Sequence, residues 1–157
     1  MDSDSTMPPE VRQFIEWARV GHLATADAEG RPSVVPICFV HDPPHLYSLI
    51  DNKPKKTGAA GLKRMRNLRE NPQAAVVVDR WDEDWGRIGW VMLRGRAEVL
   101  EPCPEGAMGL LREKYPQYRD PSLDGHPAIC ITIVSFRAWG NLSLPQFGQA
   151  PPGANPP

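Results

Sequence analysis

The chain has 157 residues, of which 41% are hydrophobic and 24% charged, with a formal net charge of -1 at pH 7. That length suits one domain whose core takes about two thirds of the unfolded chain's surface out of water. The near-neutral balance excludes a general polyanion binder, so nucleic acid is not an expected partner.

Pro8-Pro9-Glu10 opens a helix pattern with Val11, Phe14, Ile15 and Ala18 on one face, proline being tolerated in the first turn. It should end by Gly21. His22 to Ala26 and Pro32 to Val40 are strand-like, and Asp27-Ala28-Glu29-Gly30-Arg31 between them reads as a hairpin turn. After the breaker His41-Asp42-Pro43-Pro44, a third strand is expected from His45 to Ile50.

Lys53-Pro54-Lys55-Lys56-Thr57-Gly58 follows, and then a basic helix pattern that Thr57 could cap, with Leu62, Met65 and Leu68 inward and a stop at Asn71-Pro72. From Lys53 to Arg69 there are seven Lys or Arg residues and no acidic one. The positive charge is local.

Ala74 to Val78 is apolar without alternation, as for a strand covered on both faces, and Ile88 to Leu100 is a long strand in which Gly95 marks a bulge. Between them, Trp81 to Arg87 is too polar for a core strand and belongs at a rim or interface. Pro104 to Tyr115 reads as a third helix, Pro116 to Pro127 as a loop, and Ala128 to Ala138 as the sixth strand. Residues 1–141 form the expected domain, and the Pro/Gly-rich residues 142–157 a flexible tail. Six antiparallel strands with helices at the start, after the third and after the fifth argue for a mainly β barrel with peripheral helices.

Cys38, Cys103 and Cys130 are odd in number and widely spaced, which gives no disulfide framework and points to a reducing, cytoplasmic setting. The polar, acidic start lacks the features of a signal peptide, and no apolar run is long enough to span a bilayer, so no membrane association is expected. His22, His41, His45 and His126 have neither metal-ligand nor triad spacing, and Asp79, Asp82, Glu83 and Asp84 read as a solvated, salt-bridged loop. Without evident acids and bases, reactivity falls to a bound cofactor that the protein positions. Lys53, Lys55, Lys56 and Thr57, with the free amides of the following helix, could hold its phosphate, or they could form a solvated basic surface. Lys63, Arg64 and Arg66 could extend the grip along a longer anionic tail, and Trp85, Trp90 and Trp139 could wall a planar ring.

Gly21-His22-Leu23-Ala24-Thr25 with Gly30-Arg31-Pro32, Asn67-Leu68 with Asn71-Pro72-Gln73-Ala74, Asp79-Arg80-Trp81 with Glu83-Asp84-Trp85, and Leu93-Arg94-Gly95-Arg96-Ala97-Glu98-Val99 together resemble the pyridoxamine 5'-phosphate oxidase-like split-barrel superfamily. Within it the pattern is most similar to flavin/deazaflavin oxidoreductases that use coenzyme F420. The resemblance implies a six-stranded antiparallel split β-barrel, the FMN-binding split barrel, and a homodimer with the cofactor between subunits and its phosphates near the turn after the third strand. By position it implies Ser48 and Ile50 on the strand, Lys53, Lys55, Lys56 and Thr57 in the turn, and Lys63, Arg64 and Asn67 on the helix. Ser33-Val34-Val35-Pro36-Ile37-Cys38 departs from the R-x-V-L-L-K of true pyridoxamine phosphate oxidases, which disfavours vitamin-B6 oxidation and loosens the case for flavin mononucleotide. The implied activity is hydride transfer between F420 and an unsaturated small molecule, with an FMN oxidoreductase, or a non-catalytic flavin, deazaflavin or haem carrier, as alternatives.

Overall fold

The computed structural model describes residues 6–51 and 62–145. Among these residues, seven strands form one antiparallel sheet: β1 (Gly21–Ala26), β2 (Pro32–Ile37), β3 (Val40–Asp42), β4 (His45–Leu49), β5 (Gln73–Arg80), β6 (Gly89–Leu100) and β7 (Ala128–Gly140). Their order is β2-β1-β5-β6-β7-β4-β3. Three α-helices of the described residues, α1 (Pro9–Trp17), α2 (Lys63–Glu70) and α3 (Glu105–Lys114), lie around it.

The extra strand comes from the stretch expected to be a single one. Residues 32–40 break at Cys38-Phe39: β2 pairs with β1 at one edge of the sheet, and β3 pairs with β4 at the other. Two edges joined by two residues must lie close in space, so the sheet curls into a barrel that stays split there. Pro32 and Pro36 fit an edge strand, where a missing N–H interrupts no second ladder.

Side chains alternate across the pleat. Leu23, Val76, Val78, Val91, Leu93, Ile129 and Ile131 fill the barrel, α1 adds Phe14 and Ile15, and α2 adds Met65 and Leu68. A smaller cluster under α3 gathers Val40, Leu49, Leu111, Tyr115 and Tyr118. β5 is not covered on both faces as its composition suggested: Ala74, Val76 and Val78 are buried, whereas Ala75 and Val77 are only half-buried. The apolar run arises because the outer face is apolar too.

The bulge expected at Gly95 is present as a register shift between Arg94 and Gly95 against β7. A Cβ at Gly95 would run into the Thr132 carbonyl, so only glycine permits that approach. Helix α2 starts at Lys63 with Leu62 as its N-cap, later than the start anticipated at Thr57, which lies outside the described residues. It ends at Asn71, held extended before Pro72 as a residue preceding proline prefers. The described chain continues past residue 141. Leu142 is buried, and Arg80 donates to the carbonyls of Asn141 (2.7 Å) and Ser143 (2.6 Å); the rest of the anticipated tail, residues 146–157, lies outside the described residues.

At the Cys38-Phe39 crossing the backbone leaves one ladder before it joins another, and its polar groups need substitutes. Ser48 Oγ donates to the Cys38 carbonyl at 2.8 Å. The Tyr115 hydroxyl accepts the Phe39 N–H at 3.0 Å and lies within donating distance of the carbonyls of Arg19 (2.9 Å) and Phe39 (3.1 Å). Burial raises the Tyr115 phenol above its ordinary pKa, which keeps its proton available to donate. Tyr115→Phe strands the Phe39 N–H and should lower the unfolding free energy by about 1–3 kcal/mol; a shifted urea midpoint at unchanged slope is the readout.

Candidate cofactor site

The hairpin between β1 and β2 turns on one carboxylate. Asp27 Oδ1 accepts the backbone N–H groups of Glu29 (2.9 Å) and Arg31 (3.0 Å), and Oδ2 accepts Arg31 Nε at 2.7 Å. The Arg31 side chain first, and its backbone N–H next, hold the Asp27 carboxyl at a pKa of about 2. Helix α2 docks beside this turn. Lys63 Nζ lies 3.8 Å from Asp27 Oδ2, Glu70 accepts the Ala28 N–H at 2.9 Å, and Asn67 Nδ2 donates to Thr25 Oγ1 at 3.0 Å.

These contacts set the direction of the helix. Asn67, fully buried, faces the barrel with no partner for its Oδ1 among the described residues, and Met65 and Leu68 face the core. Arg66 and Arg69 are exposed, Arg64 is half-buried and the Lys63 side chain is 53% exposed. Leu62 provides no side-chain cap for the first turn. Cations at an N-terminus that already carries partial positive charge form an unfavourable grouping that an anion would relieve.

The other sequence candidates separate. Ser48 and Ile50 are buried, Ser48 bonded to Cys38 and the Ile50 N–H donating to the Pro127 carbonyl at 2.8 Å. Their side chains serve the barrel wall. Lys53, Lys55, Lys56 and Thr57 lie outside the described residues. The strand end that leads toward them is anchored by the Tyr118 hydroxyl, which donates to Asp51 Oδ2 at 2.8 Å, and burial pushes that phenol's pKa up.

Sequence reasoning missed the outer face of the sheet. Register places Val34, Ala24, Ala75 and Arg94 in one row across β2, β1, β5 and β6, and Pro36, His22, Val77, Met92 and Arg137 in the next row, which reaches β7. A further row carries Asp79, Trp90 and Trp139. Val34 is 63% exposed and Trp139 56%, so the apolar stripe is open. Period-two alternation in β1, β5 and β6 was the available signal. Trp85 stands apart on the loop after β5, 76% exposed. The acids of that loop bond locally: Asp82 takes the Asp84 N–H, Asp84 takes the Gly86 N–H, and Glu83 takes Trp81 Nε1.

His126 Nδ1 lies 3.0 Å from the Ile50 carbonyl, and His41 is buried. Among the described residues no group of His, Cys, Asp or Glu could hold a metal ion. All three cysteines are free; Cys103 and Cys130 are buried, whereas Cys38 is only half-buried.

The family model for pyridoxamine 5'-phosphate oxidase matches residues 7–140. The heme oxygenase HutZ of Vibrio cholerae serotype O1 is 31% identical over 72 residues, which are 46% of this chain and 36% of HutZ. The match thus spans little more than a third of that relative. The crystal structure of HutZ from Vibrio cholerae, there called a heme storage protein, superposes with a TM-score of 0.65 at 20% identity, covering 84% of this chain and 92% of that one. The conserved hypothetical protein Rv2991 of Mycobacterium tuberculosis gives 0.67 at 21%, covering 98% and 99%. An F420 reductase gives 0.62 at 24%, covering 83% and 98%. At these identities the structural likenesses show a shared fold.

The Asp27 shift has a defined sign. A carboxyl held below its ordinary 3.8 stabilises the fold above that pH, and the contribution is lost as pH falls toward about 2. Asp27→Asn should therefore be less stable than the parent at pH 6, with the gap closing between pH 3.8 and about 2 in urea titrations.

Proposed function

This chain belongs to the pyridoxamine 5'-phosphate oxidase family, and from that premise we propose a homodimeric F420-dependent oxidoreductase that transfers hydride between the deazaflavin and an unsaturated organic substrate. The observation that carries the proposal is the basic start of α2, where Lys63 and Arg64 sit on a first turn that no described side chain caps and that is held against the hairpin. These donors suit a cofactor with a phosphate and an acidic tail. The fold likeness to an F420 reductase supports the choice.

In this arrangement Lys63 and Arg64 hold the anionic tail, with Lys53, Lys55, Lys56 and Thr57 as further anchors on the segment that leads to α2. The apolar outer face around Val77, Met92, Trp90 and Trp139 covers the ring and keeps water from it once a second copy packs on that face. Hydride chemistry is supplied by the deazaflavin when bound. Flavin mononucleotide is the competing ligand for the same cations. Three free thiols suit a reducing, cytoplasmic setting, and among the described residues no helix is long and apolar enough to cross a membrane.

A second reading, a haem carrier, is favoured by the sequence match to HutZ. His22 supplies an imidazole on the same outer face, beside Val77.

Absorbance titrations with F420, FMN and hemin separate the readings. F420 should bind, and Lys63→Ala with Arg64→Ala should weaken it by tenfold or more, about 1.4 kcal/mol. Unchanged affinity in that variant, with loss in one lacking Lys53, Lys55 and Lys56, moves the anchor to the turn. Hemin or FMN binding without F420 binding sinks the proposal. The two-copy arrangement predicts a dimer by analytical ultracentrifugation, and a monomer of unchanged thermal stability for Val34→Glu, because that side chain is exposed in the single chain.

A further inference from the structure

A cleft of about 420 Å³ opens between the last turn of α1, β3 and the last turns of α3, lined by Glu16, Val40, His41, Leu110, Glu113 and Lys114. Its walls come from elements other than α2 and the β1–β2 hairpin, so it is separate from the basic site. Its size falls within the range of small-molecule sites, about 300–1,000 Å³.

Lys114 gives the cleft its chemistry. Nζ is shut off from water and finds no hydrogen-bond acceptor among the described residues. It sits 4.0 Å from the centre of the Phe39 ring and 5.4 Å from that of Tyr115. Two aromatic faces offset part of its charge but leave its N–H bonds without acceptors. Burial, with the nearby Arg19 guanidinium adding to it, lowers the amine's pKa to about 8, while Glu16 acts in the opposite sense. A buried ammonium without an acceptor is a liability that a methionine of similar length would avoid.

The remaining lining says what would relieve it. Val40 and Leu110 are apolar, with Leu110 37% exposed, and suit an aliphatic body. Glu16 and Glu113 are exposed, and their two carboxylates balance Lys114 and the nearby Arg19, so no net positive charge is left to favour a phosphate or any polyanion. A ligand that brings an oxygen anion to Lys114 and a cation to the two glutamates matches the charged walls named.

We propose that this cleft binds a zwitterionic amino carboxylate with an apolar side chain, its carboxylate drawing the Lys114 ammonium off the Phe39 ring and into the cleft, its ammonium on Glu16 and Glu113, and its side chain against Val40 and Leu110. Isothermal titration of the full chain with L-leucine tests it, alongside isovalerate (carboxylate only), isoamylamine (amine only) and inorganic phosphate. Leucine should bind saturably, and each single-charge probe about tenfold more weakly, a difference of about 1.4 kcal/mol. Lys114→Met should weaken leucine at least as much, with the fold verified by circular dichroism. Because that substitution alters a buried position, Glu16→Gln with Glu113→Gln gives an independent measure at exposed sites: leucine should lose its advantage over isovalerate. Absence of saturable leucine binding in the parent, tighter binding of phosphate, or an undiminished preference in the double variant overturns the proposal.

Discussion

The fold depends on how two residues cross a gap. Cys38 and Phe39 carry the chain from one edge of the sheet to the other, and a crossing made in two residues forces both edges to the same place. The backbone there has left one ladder without yet joining the next, in an interior where unpaired polar groups cost about 1–3 kcal/mol each. Ser48 and Tyr115 take over the missing bonds. One comes from the neighbouring strand and the other from the end of α3, so the crossing also dictates where α3 packs. The Phe39 ring, fully buried at the same corner, becomes the surface on which Lys114 rests.

Curling the sheet divides its residues into two unequal surfaces. The inner one is closed by α1 and α2 and needs nothing further. The outer one keeps an apolar stripe across β2, β1, β5, β6 and β7, and β6 pairs with β7 along its whole length. The shift at Gly95 lets β7 change phase midway: Phe136 faces inward on one side of the bulge, and Ile133, Ile131 and Ile129 do so on the other. Without that extra residue one half of β7 would turn its apolar side chains outward. An open apolar face is costly to leave in water, which is the physical ground for placing a second copy or a ligand ring there.

Most of the fold was legible because its punctuation is local. Asp27 to Arg31 announced a hairpin, Asn71-Pro72 a helix end, and Gly95 a bulge, each through a backbone restriction that sequence shows directly. The break at Cys38-Phe39 was hidden, since residues 32–40 contain nothing that forbids a continuous strand. What breaks it is tertiary, the hydroxyls of Ser48 and Tyr115, ten and 76 residues away from the groups they satisfy. The site was legible as charge and less so as geometry. A run of cations is visible in one dimension, whereas the burial of Ser48, Ile50 and Asn67 follows from helix phase and barrel curvature. Leu142 falls in the Pro/Gly-rich stretch that composition marks as tail, and Arg80 binds the carbonyls on either side of it.

The charge on α2 stays available because its nearest acid is already engaged. Asp27 holds Arg31 by a short, direct bond and accepts two backbone N–H groups, while Lys63 stands off at 3.8 Å with half of its side chain in solvent. An exposed ion pair of that length contributes about 1 kcal/mol or less. A phosphate offers Lys63 more acceptor oxygens and more charge than a carboxylate that is shared, so the hairpin orients this lysine without consuming it. Glu29 likewise pairs with Arg31 at 2.6 Å, which removes another acid from the reach of α2. The turn and the helix therefore divide the work: acids close the hairpin around Arg31, and among the described residues the cations of the first helical turn have no ion pair closer than that of Lys63 with Asp27 at 3.8 Å, the opening that the proposed anchor would use.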